Sequence, residues 1–232
     1  TSIMERKVRL FAVLLVGLFM SSFSVNVSAQ DLMDAQREIK SGDQKKRAED
    51  YTGAIEAFGN CIDICNQLGV EGEDLLADAQ KKIVKTHLDY GNSLFDQDKY
   101  DEAIAEYEKT IELGNKYNQE SYITKAKNNL PKVYYAIGKN SFSAEEYEKA
   151  IEEFNVAIEK DPQYGWAYIR KAQAYQKLEK MDNFYTAIEE AVKIVKRNTR
   201  HFAKRQMTWF NRDQDINWFN LSEQKKEDVV NE

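Results

Sequence analysis

The stretch best equipped for chemistry is basic and aromatic. From Lys193 to Arg212 the chain carries Lys193, Lys196, Arg197, Arg200, Lys204, Arg205 and Arg212 with no acid among them. Local basicity of this kind can mark a nucleic-acid contact. Lys204 and Arg205 suit phosphates, Gln206 and Thr208 can hydrogen-bond, and Trp209 can stack or pack. The same residues also read as a basic helix end whose Trp209, Phe210, Trp218 and Phe219 simply cover the element before it. At a net charge of -6 the whole chain is too acidic for a general DNA coat.

Other residue types that could catalyse are scattered. Cys61 and Cys65 stand i, i+4 on one expected helix face and read as buried small hydrophobes. Two cysteines with no nearby histidine cannot complete a structural zinc site. The two histidines, His87 and His201, are far apart in the chain. Glu102, Glu106, Glu145, Glu146, Glu148, Glu152 and Glu153 read as solvated helix face, with i, i+4 partners such as Glu145 and Lys149. No nucleophile with a matched base, paired-carboxylate site or metal cluster stands out. The expectation is a protein without cofactor, metal or catalysis.

Helices must carry these residues. The 232 residues include 42% hydrophobic and 31% charged side chains but only 2 prolines and 10 glycines, a balance that favours an all-α protein. No sustained period-two run of Val, Ile and Thr predicts a sheet. A register repeats through the middle of the chain. Gly42, Gly91 and Gly138 each precede an alanine by twelve residues (Ala54, Ala103, Ala150), and an aromatic follows four later (Phe58, Tyr107, Phe154). Cys61, Thr110 and Ala157 come next. The pattern predicts helical hairpins at 34–68, 74–117 and 121–160, with turns near Gly69–Gly72, Gln97–Lys99 and Ser143, and a stop at Asp161-Pro162. A fourth, irregular hairpin begins at Trp166 and continues over Asn183–Val195, with Phe184 where the alanine should be. The spacing between glycines, 49 and then 47 residues, requires long helices or long loops.

Residues 34–180 resemble the tetratricopeptide repeat family on this Gly-x11-Ala-x3-aromatic register, with three clear units and a partial fourth. The resemblance implies a right-handed superhelical array, since one hairpin cannot bury its apolar face alone while stacked hairpins can. It also implies a concave groove lined by the first helix of each unit. The positions concerned are Gln36, Ile39, Asp43 and Lys46; then Lys85, Leu88, Asn92 and Phe95; then Lys132, Tyr135, Lys139 and Phe142; and from the fourth unit Trp166, Ile169, Arg170 and Gln173. This aromatic and apolar strip with lysines beside it suits an extended segment of a protein or peptide partner. Asn92, Lys132 and Lys139 fill places comparable to the family's clamp for a C-terminal carboxylate, but Leu88 and Ala136 replace charged residues of that clamp.

The tail carries a second resemblance. Thr199, Arg200, Phe202, Ala203, Lys204, Arg205, Gln206, Thr208 and Trp209, followed by Trp218, are similar to the C-terminal end of the bacterial tRNA dimethylallyltransferase family. The resemblance implies tRNA contact by Thr199, Arg200, Lys204, Arg205, Gln206, Thr208 and Trp209. The family's catalytic half needs a Gly-x4-Gly-Lys-Ser/Thr phosphate loop, and no glycine here begins one; Gly138-Lys139 lacks the rest of the motif. The alternative to an interaction module is therefore a fragment or fusion of such a transferase, keeping a tRNA-contacting segment without prenylation of tRNA.

Both ends bear on location. Arg6, Lys7 and Arg9 precede an apolar run from Leu10 to Met20 and a Val27-Ser28-Ala29 cleavage site, the pattern of a signal peptide over residues 1–29. The run is short of the roughly 20 residues a membrane span needs, so no stable anchor is expected after cleavage. Removing its net +2 takes the chain's -6 to -8. The expected location is the periplasm or cell envelope of a bacterium, or the cytoplasm if the tail reading governs. Thr1-Ser2-Ile3 before Met4, and the degraded fourth unit, are consistent with a reading frame joined near residues 187–196. Residues 181–221 form the irregular last helix and basic tail, and 222–232 a charged end expected to be disordered.

Overall fold

A computed structural model describes residues 29–210, with side chains through Arg205. All of its regular structure is helical. Helix α1 covers residues 29–47, followed by α2 (Tyr51–Leu68), a 3-10 turn (Gly69–Gly72), α3 (Glu73–Asp96), α4 (Tyr100–Lys116), α5 (Glu120–Ser143), α6 (Tyr147–Lys160), α7 (Gly165–Lys177) and α8 (Met181–Phe210). The signal-peptide expectation and the end beyond Phe210 lie outside the described residues. No described helix is long and apolar enough to cross a membrane.

Local chemistry explains the boundaries. Asp50 caps α2, its Oδ1 accepting the Gly53 backbone N–H at 3.0 Å. Acids occupy the first turn of α4 (Asp101, Glu102) and of α6 (Glu148), while Lys116 and Lys160 close the same helices, as the helix dipole favours. Asp161 Oδ1 accepts the Gln163 N–H at 2.8 Å beyond the end of α6. Pro131 is buried inside α5 and can donate nothing to the preceding turn, yet the helix continues through it.

The four hairpin turns share one design. Glu49, Asp98, Glu145 and Glu179 all take a left-handed conformation, with φ between 56° and 64°. The next residue's N–H then reaches back to the carbonyl five earlier: Asp50 to Lys45, Lys99 to Leu94, Glu146 to Ser141 and Lys180 to Tyr175, at 2.9–3.0 Å. This is the Schellman closure, made here with acidic residues where glycine is commonest.

The Gly-x11-Ala-x3-aromatic register acquires its physical meaning in the packing. A Cβ built on Gly42, Gly91 or Gly138 would lie 2.5, 2.9 or 2.6 Å from the ring of Phe58, Tyr107 or Phe154. Each glycine thus admits the aromatic sixteen residues later, and the three rings are buried. The long spacing between units is in the helices, because α3 and α5 run for 24 residues each.

The chain divides into two compact units between Ile137 and Gly138, within α5. In the first, one core gathers Phe58, Cys61, Ile62, Cys65, Ile83 and Val84, and another gathers Leu88, Leu94, Tyr107, Leu130 and Val133. In the second, α7 packs on both α6 and α8, and Ala150, Phe154, Ala157, Ala172, Ala187 and Ile194 are buried. The last hairpin departs from expectation in length. Its second helix continues past Val195 to Phe210 without a break, because no glycine or proline interrupts Met181–Phe210 and lysine and arginine are good helix formers.

Candidate functional site

A polar network sits where α3, α4 and α5 meet in the first unit. The Asn92 carboxamide oxygen accepts from Tyr107 Oη at 2.8 Å and from Asn129 Nδ2 at 2.9 Å. Asn129 Oδ1 in turn accepts from Lys132 Nζ at 3.1 Å. With its oxygen holding two donors, Asn92 has its NH₂ end to offer a ligand. Phe95 and Asp96 complete the lining of a cavity of about 260 Å³. Burial pushes the Tyr107 hydroxyl up to about 12, so it stays a donor through the neutral range. The arrangement pairs two carboxamides with one cation, one carboxylate and an apolar ring. Its chemistry is that of recognition: donors and acceptors for an amide or carboxylate, beside a surface for an apolar side chain.

Three of the expected strip residues, Asn92, Phe95 and Lys132, are brought together here. Asp96 and Asn129 were missed, although Asn129 stands three residues before Lys132 on the same helical face. Tyr107 is the aromatic of the second repeat register, and the register carries no sign of its hydroxyl's partner. Other strip positions have different roles. Leu88 is 4% exposed and belongs to the core of the first unit, a correction to its place in the strip. The cause is that α3 packs against both α2 and α4, so a wider arc of it is covered than one groove-facing stripe allows. Asp43 takes Lys82 Nζ at 2.7 Å on both oxygens, and Lys46 Nζ lies 2.7 Å from Asp89. These two residues tie α1 to α3 rather than await a ligand. Gln36 and Lys85 are exposed, and Ile39 and Tyr135 half-buried.

In the second unit, Phe142 meets Tyr147 edge-on at 5.3 Å, as Phe95 meets Tyr100 at 5.8 Å in the first. Arg170 lies 6.0 Å above the Phe142 ring and donates to Gln173 Oε1 at 3.0 Å. Trp166 is 64% exposed, Ile169 half-buried and Lys139 exposed.

The basic tail is helical. Thr199, Arg200, Lys204 and Arg205 are exposed on α8, while the side chains of Gln206, Thr208 and Trp209 lie outside those described. Lys204 and Arg205 line a cavity of about 450 Å³ with Asn198, His201 and Gln163, the last from the α6–α7 turn. Asn198, His201 and Gln163 were missed. The i, i+3 spacing of Asn198 and His201 was the available signal. Among the described residues no group of three His, Cys, Asp or Glu side chains could hold a metal ion.

Comparison with known proteins finds both resemblances. A tetratricopeptide repeat family model matches residues 84–117, which span most of α3 and all of α4. The IPP transferase family model matches residues 139–213, reaching back from the basic tail through α7 and α6. The tRNA dimethylallyltransferase of Halothermothrix orenii is 76% identical over 34 residues, 15% of this chain and 10% of the enzyme. That of Alkaliphilus metalliredigens is 54% identical over 43 residues, 18% of this chain and 14% of the enzyme. The chain thus spans only 10% and 14% of the length of these two transferases. Among solved structures, MamA is 18% identical, with 81% of this chain and 98% of that chain covered at a TM-score of 0.34.

Proposed function

We propose that this chain is an exported, non-catalytic interaction module that captures an extended peptide segment. The observation that carries the reading is the Asn92–Asn129–Tyr107 network beside Phe95 and Lys132. Two adjacent carboxamides complement the alternating donors and acceptors of a peptide main chain, and the ring and ammonium add side-chain selectivity. The signal-peptide pattern over residues 1–29 supports a periplasmic or envelope location, with no membrane anchor expected after cleavage. The test is affinity purification from envelope extract with the wild-type chain, the Lys132→Glu, Lys139→Glu double variant and Asn129→Ala. Partners held by wild type and lost by both variants support the reading. An unchanged partner set rules the groove out.

A second reading has its own support, the transferase-like stretch at 139–213 and the 76% identity over 34 residues. Under it the chain is a fragment or fusion of a tRNA dimethylallyltransferase. It would hold tRNA through Arg200, Lys204 and Arg205 in the cytoplasm, and with no phosphate loop it would not prenylate. Gel-shift titration with bulk tRNA separates the readings. Binding that is abolished by Lys204→Glu with Arg205→Glu favours the second, and no binding at low salt eliminates it.

A further inference from the structure

The side of α8 next to its packed face is apolar and exposed. Met181, Ile188, Val195 and Phe202 recur every seven residues, and Tyr185, Val192 and Thr199 recur every seven between them. Alternating steps of four and three are the seam of a coiled coil. Met181, Tyr185, Val192, Val195 and Phe202 are between 41% and 58% exposed. Ala187, Ala191 and Ile194, on the adjoining arc, are buried where α8 packs on α7. A monomer would leave this long apolar stripe in water, which soluble proteins rarely do.

The charges flanking the seam point to its occupant. Asp182, Glu189 and Glu190 fall in the first third of α8, and Lys193, Lys196, Arg197, Arg200, Lys204 and Arg205 follow. Two such helices laid parallel would set acid beside acid and base beside base. Laid antiparallel, the acidic start of each runs along the basic stretch of the other. That alignment sets Tyr185 opposite Phe202, Ile188 opposite Thr199 and Val192 opposite Val195 of the second copy. It also brings together Glu189 and Lys196, which occupy the same edge of the seam one heptad apart.

We infer that α8 is a self-association helix that pairs antiparallel with α8 of a second copy of this chain. The pairing covers the seam and neutralises much of the basic run, so it competes with any polyanion for Lys196 and Arg200.

Sedimentation analysis of the full chain over low to high micromolar concentration tests this. The expected species has twice the 26.9 kDa mass of the chain. Val195→Glu, a change at an exposed position, should weaken association at least roughly tenfold with helicity by circular dichroism unchanged. Glu189→Lys alone and Lys196→Glu alone should each weaken it severalfold, and the two together should restore it. That restoration distinguishes an antiparallel pair from any arrangement in which these residues do not meet. A wild-type chain of 26.9 kDa throughout the range overturns the proposal and leaves the seam to residues 211–232 or to a different protein. Assemblies untouched by Val195→Glu, or single charge reversals without effect, overturn it equally.

Discussion

The ring of Phe154 fills the space that a side chain on Gly138 would need, with its Cε1 2.6 Å from where a Cβ would be. The ring is fully buried and cannot retreat into solvent. Gly138→Ala should therefore destabilise by about 1 to 3 kcal/mol, the usual cost of overpacking, despite alanine's better helix propensity. Denaturant unfolding measures it. A second change, Phe154→Leu, should recover part of the loss in the double variant although it is destabilising alone. A Gly138→Ala chain as stable as wild type would mean that the glycine is not required by packing.

The hairpin turns offer the opposite experiment. Glu145 and Asp98 hold left-handed backbone at φ 64° and 60°, where a Cβ costs roughly 1 kcal/mol that glycine avoids. Glu145→Gly should raise stability by a fraction of a kcal/mol up to about 1 kcal/mol, after the entropy glycine adds to the unfolded chain. Asp98→Gly should gain less, because it also removes the carboxylate that accepts from Tyr100 Oη at 2.6 Å. The same substitution at Glu152, in the interior of α6, should lower stability by about 1 kcal/mol. Thermal melts of the three variants give the comparison.

Alkaline pH should loosen the first unit. Burial pushes both the Cys61 thiol and the Tyr107 hydroxyl up to about 12, from ordinary values of 9.0 and 10.0. The folded chain therefore keeps protons that the unfolded chain has already released. The associated stability is complete below about pH 9 and is lost as pH rises toward 12. Tyr107 alone accounts for roughly 2 to 3 kcal/mol of the decline. Tyr107→Phe should be less stable at neutral pH, because Asn92 loses a donor, but should show a flatter fall above pH 10. Stability measured across that range decides it.

The two thiols give a simpler readout. Cys61 and Cys65 are fully buried and free, with their sulfurs 3.8 Å apart. A thiol reagent at pH 8 should label neither in the folded chain and both after unfolding. Rapid labelling under native conditions would show that the α2 core opens locally.

Much of this fold was legible because its signals repeat. The helices form where the apolar periodicity runs and stop at turns that chemistry dictates. Gly42, Gly91 and Gly138 each announce the aromatic that packs against them. The candidate site was legible only in part, and each miss has a spatial cause. Leu88 obeys the spacing of a groove position, but the number of neighbours around α3 decides its exposure, and spacing within one hairpin does not contain that. Asp43 and Lys46 pair with Lys82 and Asp89 because of the stagger between α1 and α3, a property of two units rather than one. Asn129 reaches Asn92 from α5 one turn ahead of Lys132, and which turn of α5 meets α3 depends on how the two hairpins stack. Beyond Val195 the sequence changes character and suggests a tail, but composition alone does not end a helix.

The paired charges between α1 and α3 carry a further consequence. One pair runs acid to base, from Asp43 to Lys82, and the other base to acid, from Lys46 to Asp89. Sliding α1 along α3 until Lys46 stood level with Lys82 would set base against base and carry Asp43 past its own partner. The two contacts therefore act as a keyed connector that accepts one alignment and rejects its neighbour. The first hairpin is consequently not an interchangeable module. Grafted ahead of another repeat, it would join correctly only if that repeat presented a base and an acid at the positions of Lys82 and Asp89.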